Sequence, residues 1–199
     1  MFKRMEMFMK TRDIDIRMSL HSILSEEFSD DPNTLIIDEL GLCQGDARVD
    51  VAVINGAIHG YEIKSESDTL ERLPNQIDIY NKILDNITII TGQCHIDRIL
   101  KMTPPWWGVQ QAEMSDTKTI ILSTIRNGKQ NPDIDPHSLV QLLWRDEALE
   151  LLKVYGAERG FISKPRRDIW NRLVDCVPLE ELKFHVRNQL KKRKNWRSV

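Results

Sequence analysis

The sequence predicts an α/β protein in which a mixed central sheet flanked by helices is followed by an all-helical module. Short apolar runs rich in β-branched residues occupy the first two thirds of the chain, and the dipeptide Asn55-Gly56 separates two of them. Beyond the polar link 127–136, the apolar residues recur only at helical spacing. We therefore expect two parts, an α/β core over 1–126 and a basic helical module over 137–199.

The core is predicted to begin with a helix over 11–28, where apolar residues recur near helical spacing. Turn-forming residues at 30–33 end this helix. Asn-Gly is the strongest short hairpin signal, so the runs on either side of Asn55-Gly56 are predicted to pair as antiparallel strands. The predicted strands cover 34–37, 49–54, 58–63, 87–91, 109–113 and 119–125.

Five further helices are predicted, two within the core and three in the module. Pro74 lies inside the first of them and is expected to bend it or to divide it in two. The second of these helices, over 95–102, is expected to end before Pro104-Pro105. The predicted helices cover 69–85, 95–102, 138–155, 164–175 and 179–194.

Composition indicates a cytoplasmic protein with no membrane-spanning segment. The three cysteines are far apart and form no Cys-x-x-Cys pair, which is typical of reduced thiols. No apolar run approaches the roughly 20 residues that cross a bilayer, and no cleavage site for a secretory signal follows the N-terminal residues. Secretion is therefore not expected.

The charge is unevenly distributed, although the net charge is only −2. Basic residues outnumber acidic ones by eight over 159–199, and acidic residues outnumber basic ones by ten over 1–158. This asymmetry is typical of a protein that holds a metal at one end and meets a polyanion with the other. A solvated helical surface accounts for it equally well.

Three residues of the predicted hairpin carry the chemistry. Glu62 and Lys64 alternate with Tyr61 and Ile63, so they project on the same side of their strand, about 7 Å apart. The turn brings Asp50 of the other arm close to them. Two carboxylates inside an apolar sheet repel each other, and Mg²⁺ or Mn²⁺ relieves that repulsion. Lys64 can then orient a water or stabilise charge on a phosphate.

This arrangement resembles the PD-(D/E)xK nuclease superfamily, in which an Asp precedes a Glu-x-Lys on the next strand. Asp50 is followed after eleven residues by Glu62 and Lys64, with Val49 standing where the motif has Pro. The resemblance implies a restriction-endonuclease-like core, metal ligation by Asp50 and Glu62, and activation of water by Lys64. Glu39 is the better candidate for a third acidic ligand, and Glu26 is the second.

A second motif raises the specificity of the resemblance. Gln76 and Tyr80 fit the Gln-x-x-x-Tyr pattern of RecB-like and Cas4-like nucleases, which implies that both residues help to place the nucleic acid. Four residues apart, they share one face of a helix. Longer stretches resemble an uncharacterised bacterial family assigned to the same superfamily: 37–42, 48–53, 60–65, 144–148 and 163–166.

We therefore expect a Mg²⁺- or Mn²⁺-dependent nuclease that acts on DNA. The basic residues Lys191, Lys192, Arg193 and Lys194 are expected to contact phosphate, although cations also favour a helix C-terminus through the helix dipole. Two other hypotheses stay open: a nucleic-acid-binding or regulatory protein on a nuclease fold with little turnover, and a defence effector controlled by a partner. A homodimer or a partner protein is compatible with all three.

Overall fold

The computed structural model describes residues 11–193 and has an α/β architecture with one mixed six-stranded sheet. The strands lie in chain order across the sheet: β1 (Leu35–Leu42), β2 (Ala47–Ile54), β3 (Ile58–Lys64), β4 (Asn86–Thr91), β5 (Gly108–Met114) and β6 (Ile120–Arg126). The helices are α1 (Asp13–Glu27), α2 (Leu73–Tyr80), α3 (Ile96–Met102), α4 (Pro136–Leu139), α5 (Arg145–Val154), α6 (Arg166–Cys176) and α7 (Leu179–Lys192). The predicted α/β class and the C-terminal helical region are confirmed.

The predicted hairpin is present, with β2 and β3 antiparallel and Ile54 paired with Ile58. The amide of Ala57 donates to Asn55 Oδ1 at 3.2 Å and closes the turn. β3, β4 and β5 run parallel, because α2 and α3 carry the chain back between them. The outer pairs β1–β2 and β5–β6 are antiparallel, which makes the sheet mixed.

Helices cover both faces of the sheet. Ile16, Leu20 and Leu24 of α1 recur every four residues and pack on one face, against a cluster that includes Val51 and Ile63. On the other face, buried residues of α2 and of α5 to α7 share one core cluster with the sheet. Within residues 11–193, no helix is long and apolar enough to cross a membrane.

Two predicted helices are wrong in extent. The helix predicted over 69–85 is only α2, because Pro74 begins the helix rather than dividing it, as proline favours the first turn. The helix predicted over 138–155 is three pieces: α4, a 3-10 turn at Val140–Leu142, and α5. The break falls at Leu143 and Trp144, where the Glu147 carboxylate accepts from the Trp144 amide at 2.7 Å and starts α5 anew.

Candidate active site

The side chains of Asp50, Glu62 and Lys64 lie together where the β2–β3 pairing stops. The last paired residues are Val51 and Tyr61, so Asp50 and Glu62 stand one residue beyond the ladder. The Ile63 amide donates instead to Asp50 Oδ2 at 2.7 Å. Lys64 Nζ donates to Glu62 Oε1, and the two side chains are only 6% and 2% exposed. The hairpin therefore produces the constellation that its sequence predicted.

Gln76 and Tyr80 of α2 both contact Glu62. Gln76 Nε2 donates to Glu62 Oε1 at 2.6 Å, and the Tyr80 hydroxyl lies 2.6 Å from Glu62 Oε2. Burial and the neighbouring Glu62 carboxylate raise the pKa of Tyr80 well above its usual range, so the hydroxyl keeps its proton. The two residues of the Gln-x-x-x-Tyr pattern thus orient a carboxylate of the site.

Asp50 is held by a residue that the sequence analysis missed. Arg17 of α1 donates from NH2 to Asp50 Oδ1 at 3.0 Å and from NH1 to the main-chain oxygen of Asp50 at 2.7 Å. Burial and the Glu62 carboxylate raise the pKa of Asp50 to about 7. No local signal marks Arg17, since it lies 33 residues from Asp50 and occupies an ordinary position in α1.

The two candidates for a third acidic ligand differ in position. Glu39 lies on β1 at a left-handed φ of 56° and lines the same cleft as Asp50 and Glu62. Its carboxylate lies 3.2 Å from Arg17 NH2 and 3.6 Å from Arg48 NH1, so Arg48 pairs with Glu39. Glu26 is exposed near the end of α1 and does not line the cleft. Of the two, only Glu39 lies at the cleft, and its carboxylate is already paired with two arginines.

These groups line a cleft of 910 Å³ whose wall is rich in carboxylates. The lining residues that carry acidic groups are Asp13, Glu39, Asp46, Asp50, Glu62, Asp68 and Glu71. Within 11–193, no set of three or more His, Cys, Asp or Glu side chains is arranged to hold a metal ion. Mg²⁺, however, commonly binds through one or two carboxylates and is completed by water and substrate phosphate.

One further observation supports an oxygen-ligand site. Gln76 Oε1 is buried at this cleft and has no hydrogen-bond partner among the described residues. A buried acceptor without a donor is costly unless water or a ligand satisfies it. The pair Asp50 and Glu62, with the unpaired amide oxygen of Gln76 in the same wall of the cleft, therefore fits a hard cation such as Mg²⁺ or Mn²⁺ with its bound water.

Comparison with known proteins places the chain in a family. The family model for bacteriophage P4 protein cII matches residues 7–198. The chain belongs to the bacteriophage P4 cII family. Protein cII of Enterobacteria phage P4 is 25% identical over 158 residues, which are 79% of this chain and 59% of that protein. The match thus spans about three fifths of that relative's length.

A solved structure also matches this member of the P4 cII family. It is a protein of unknown function from Silicibacter pomeroyi, 20% identical in sequence. The alignment covers 66% of this chain and 86% of that one, with a TM-score of 0.38.

The basic residues predicted to contact phosphate have different environments in this cII-family chain. The Arg193 guanidinium is 7% exposed, donates to Glu147 and to the Leu142 oxygen, and stacks over Trp144 at 4.3 Å. These contacts give Arg193 a structural role at the end of α7. Lys192 is exposed and Lys191 half-buried, whereas Lys194 lies outside the described residues.

A second groove, of 740 Å³, lies beside the acidic cleft and carries Arg166 and Arg167. Arg166 stacks on Trp170 at 4.5 Å and donates to Gln44. Gln44 lines this groove and the next residue, Gly45, lines the acidic cleft, so the turn between β1 and β2 separates the two.

Proposed function

We propose that this chain is a metal-dependent nuclease that hydrolyses phosphodiester bonds, with DNA as its substrate. The observation that carries the proposal is the convergence of Asp50, Glu62 and Lys64 in one cleft, with Glu62 and Lys64 almost completely buried. A carboxylate and an ammonium are rarely buried together unless they stabilise the fold or take part in catalysis. Because Glu62 and Lys64 line an open cleft, we favour the catalytic role.

Asp50 and Glu62 are the residues that would hold Mg²⁺ or Mn²⁺. When bound, the cation would supply charge stabilisation at the phosphate and a more acidic water. Gln76 and Tyr80 fix the orientation of the Glu62 carboxylate through contacts of 2.6 Å each. The Lys64 ammonium uses one of its three N–H donors on Glu62, which leaves two to orient an attacking water or a phosphate oxygen.

The DNA backbone is proposed to enter through the groove that contains Arg166 and Arg167. The acidic wall of the cleft repels a polyanion, so phosphate binding needs a basic surface next to it. Arg166 and Arg167 provide that surface on the far side of the turn that carries Gln44 and Gly45. Lys191 and Lys192 remain candidates for further phosphate contacts.

A second function is favoured by one specific contact. Arg17 already neutralises Asp50 from 3.0 Å, as would be expected in a protein that seldom loads a metal. In that case the chain would bind nucleic acid and regulate without much turnover. The two functions differ in one measurable property, cleavage.

The test is cleavage of linear, circular and single-stranded DNA with Mg²⁺ or Mn²⁺. Asp50→Asn and Lys64→Met preserve side-chain size, and Lys101→Met, on the exposed part of α3, is the matched control. Metal-dependent cleavage by the wild type and the control, lost in both site variants, is the expected result. Cleavage that survives in the site variants would refute the assignment, and binding without cleavage in all four proteins would favour the regulatory function.

A further inference from the structure

Arg17 lies at the centre of a cluster of carboxylates. Its NH2 is 3.0 Å from Asp50 and 3.2 Å from Glu39, its NH1 is 3.7 Å from Asp38, and its Nε is 3.5 Å from Asp13. The side chain is 16% exposed. Four carboxylates from three elements therefore surround one partly buried guanidinium, and only Asp50 belongs to the proposed metal-binding pair.

We propose that Arg17 is the resident counter-ion of this site, and that a divalent cation binds Asp50 by taking that carboxylate from the guanidinium. The inference rests on the proposed metal site. A metal ion on Asp50 would lie within a few ångströms of the guanidinium, and two cations at that distance in a partly buried cleft repel each other. Arg17 therefore lowers the affinity of the site for metal.

Arg17 can release Asp50 with only a small shift of its side chain, because other carboxylates already lie around the guanidinium. Asp13, Asp38 and Glu39 already lie within 3.7 Å of the guanidinium and can keep it after its contact with Asp50 is lost. Asp50 also keeps an anchor, because the Ile63 amide holds its second oxygen. Arg17 is thus one of two anchors of Asp50, and it sets metal occupancy because it can release the carboxylate while the Ile63 amide still holds it.

The experiment is Mn²⁺ binding to the metal-free full chain, measured by electron paramagnetic resonance of the free ion. Arg17→Gln is expected to bind Mn²⁺ at least tenfold more tightly than the wild type. Arg17→Lys keeps the charge and is expected to stay within threefold of the wild type. The matched control is Arg12→Gln, which removes an exposed arginine of the same helix end that pairs with Asp15 at 2.8 Å; its affinity should not change.

Two results separate this inference from the proposed function. Equal or weaker Mn²⁺ binding by Arg17→Gln, with binding by the wild type, overturns the inference and leaves the metal site intact. Absence of Mn²⁺ binding in both proteins at millimolar concentration overturns the metal site and the inference together.

A second variant keeps the inference testable if Arg17→Gln does not fold. Asp38→Asn removes an alternative partner of Arg17, whereas Glu71→Gln removes an acid of the same cleft that is not a partner of Arg17. Each variant removes one negative charge. Mn²⁺ binding is expected to be at least threefold weaker in Asp38→Asn than in Glu71→Gln, and equal affinities would contradict the inference.

Discussion

Replacement of Asp50 by asparagine is expected to stabilise the metal-free protein at neutral and higher pH. Burial and the Glu62 carboxylate raise the pKa of Asp50 from 3.8 to about 7. The folded state therefore binds a proton more tightly than the unfolded chain. Stability from this group is complete below the unfolded pKa and is lost as pH rises through about 7.

The size of the effect follows from that shift. A difference of about three pKa units corresponds to about 4 kcal/mol, of which about 2.5 kcal/mol is lost between pH 5 and pH 8. Asparagine does not titrate, so the stability of the variant relative to the wild type should rise by that amount over this range. The variant also loses a charge-assisted contact with Arg17, which costs about 1.5–3 kcal/mol and leaves a net stabilisation of about 1–2.5 kcal/mol at pH 8.

The assay is urea unfolding followed by tryptophan fluorescence, with a chelator present, at several pH values from 5 to 8. The control is Asp15→Asn, because the hydrogen bond from Arg12 lowers the pKa of Asp15 and keeps its carboxyl ionised over the whole range. Its stability relative to the wild type should stay constant. A constant difference for Asp50→Asn as well would refute the reasoning. Addition of Mg²⁺ at ten times its Kd should then restore about 1.4 kcal/mol to the wild type alone.

Three further predictions concern other parts of the chain. Burial lowers the pKa of His59 to about 4, so the stability that this neutral imidazole contributes is complete above pH 6.5 and is reduced by about 2 kcal/mol at pH 5. In urea titrations His59→Asn should lose this dependence on pH, and an unchanged dependence would contradict the prediction. Lys183→Met should cost about 3 kcal/mol in the same assay, since the buried Asp85 carboxylate would lose the ammonium at 2.9 Å and keep only the more distant Arg187 guanidinium at 3.9 Å. A loss below about 1 kcal/mol would contradict this. Arg166→Gln and Arg167→Gln should each weaken DNA binding and reduce the slope of log affinity against log salt by about 1, and an unchanged slope would remove the groove from the substrate path.

The hairpin and its three chemical residues could be predicted because their causes are local. Asn55-Gly56 fixes the turn, and the alternation along a strand then determines which side chains share a face. Glu62 and Lys64 follow directly from this alternation, and Asp50 follows from the length of the arm. The turn signal, the length of the arm and the alternation along each strand together contain this information.

The parts that could not be predicted depend on contacts between distant residues. The break before α5 contains neither proline nor glycine, and it is supported from the far end of the chain, where Arg193 stacks on Trp144 and pairs with Glu147. Arg17 likewise has a role only because the sheet brings Asp50 and Glu39 to it. Helical periodicity reports which face of a helix is apolar, and it contains no information about the partner of a single arginine.

The two carboxylates of the site differ in how they are held, and this difference assigns them different tasks. Glu62 is fixed by Lys64, Gln76 and Tyr80, so its displacement would leave several buried polar groups unpaired. Asp50 is held by one backbone amide and by Arg17, which has other acceptors within reach. Under the proposed function, a cation that enters the cleft would meet a fixed ligand at Glu62 and an exchangeable one at Asp50. Glu62 would then determine where the metal binds, and Asp50 with Arg17 would determine how often it is bound.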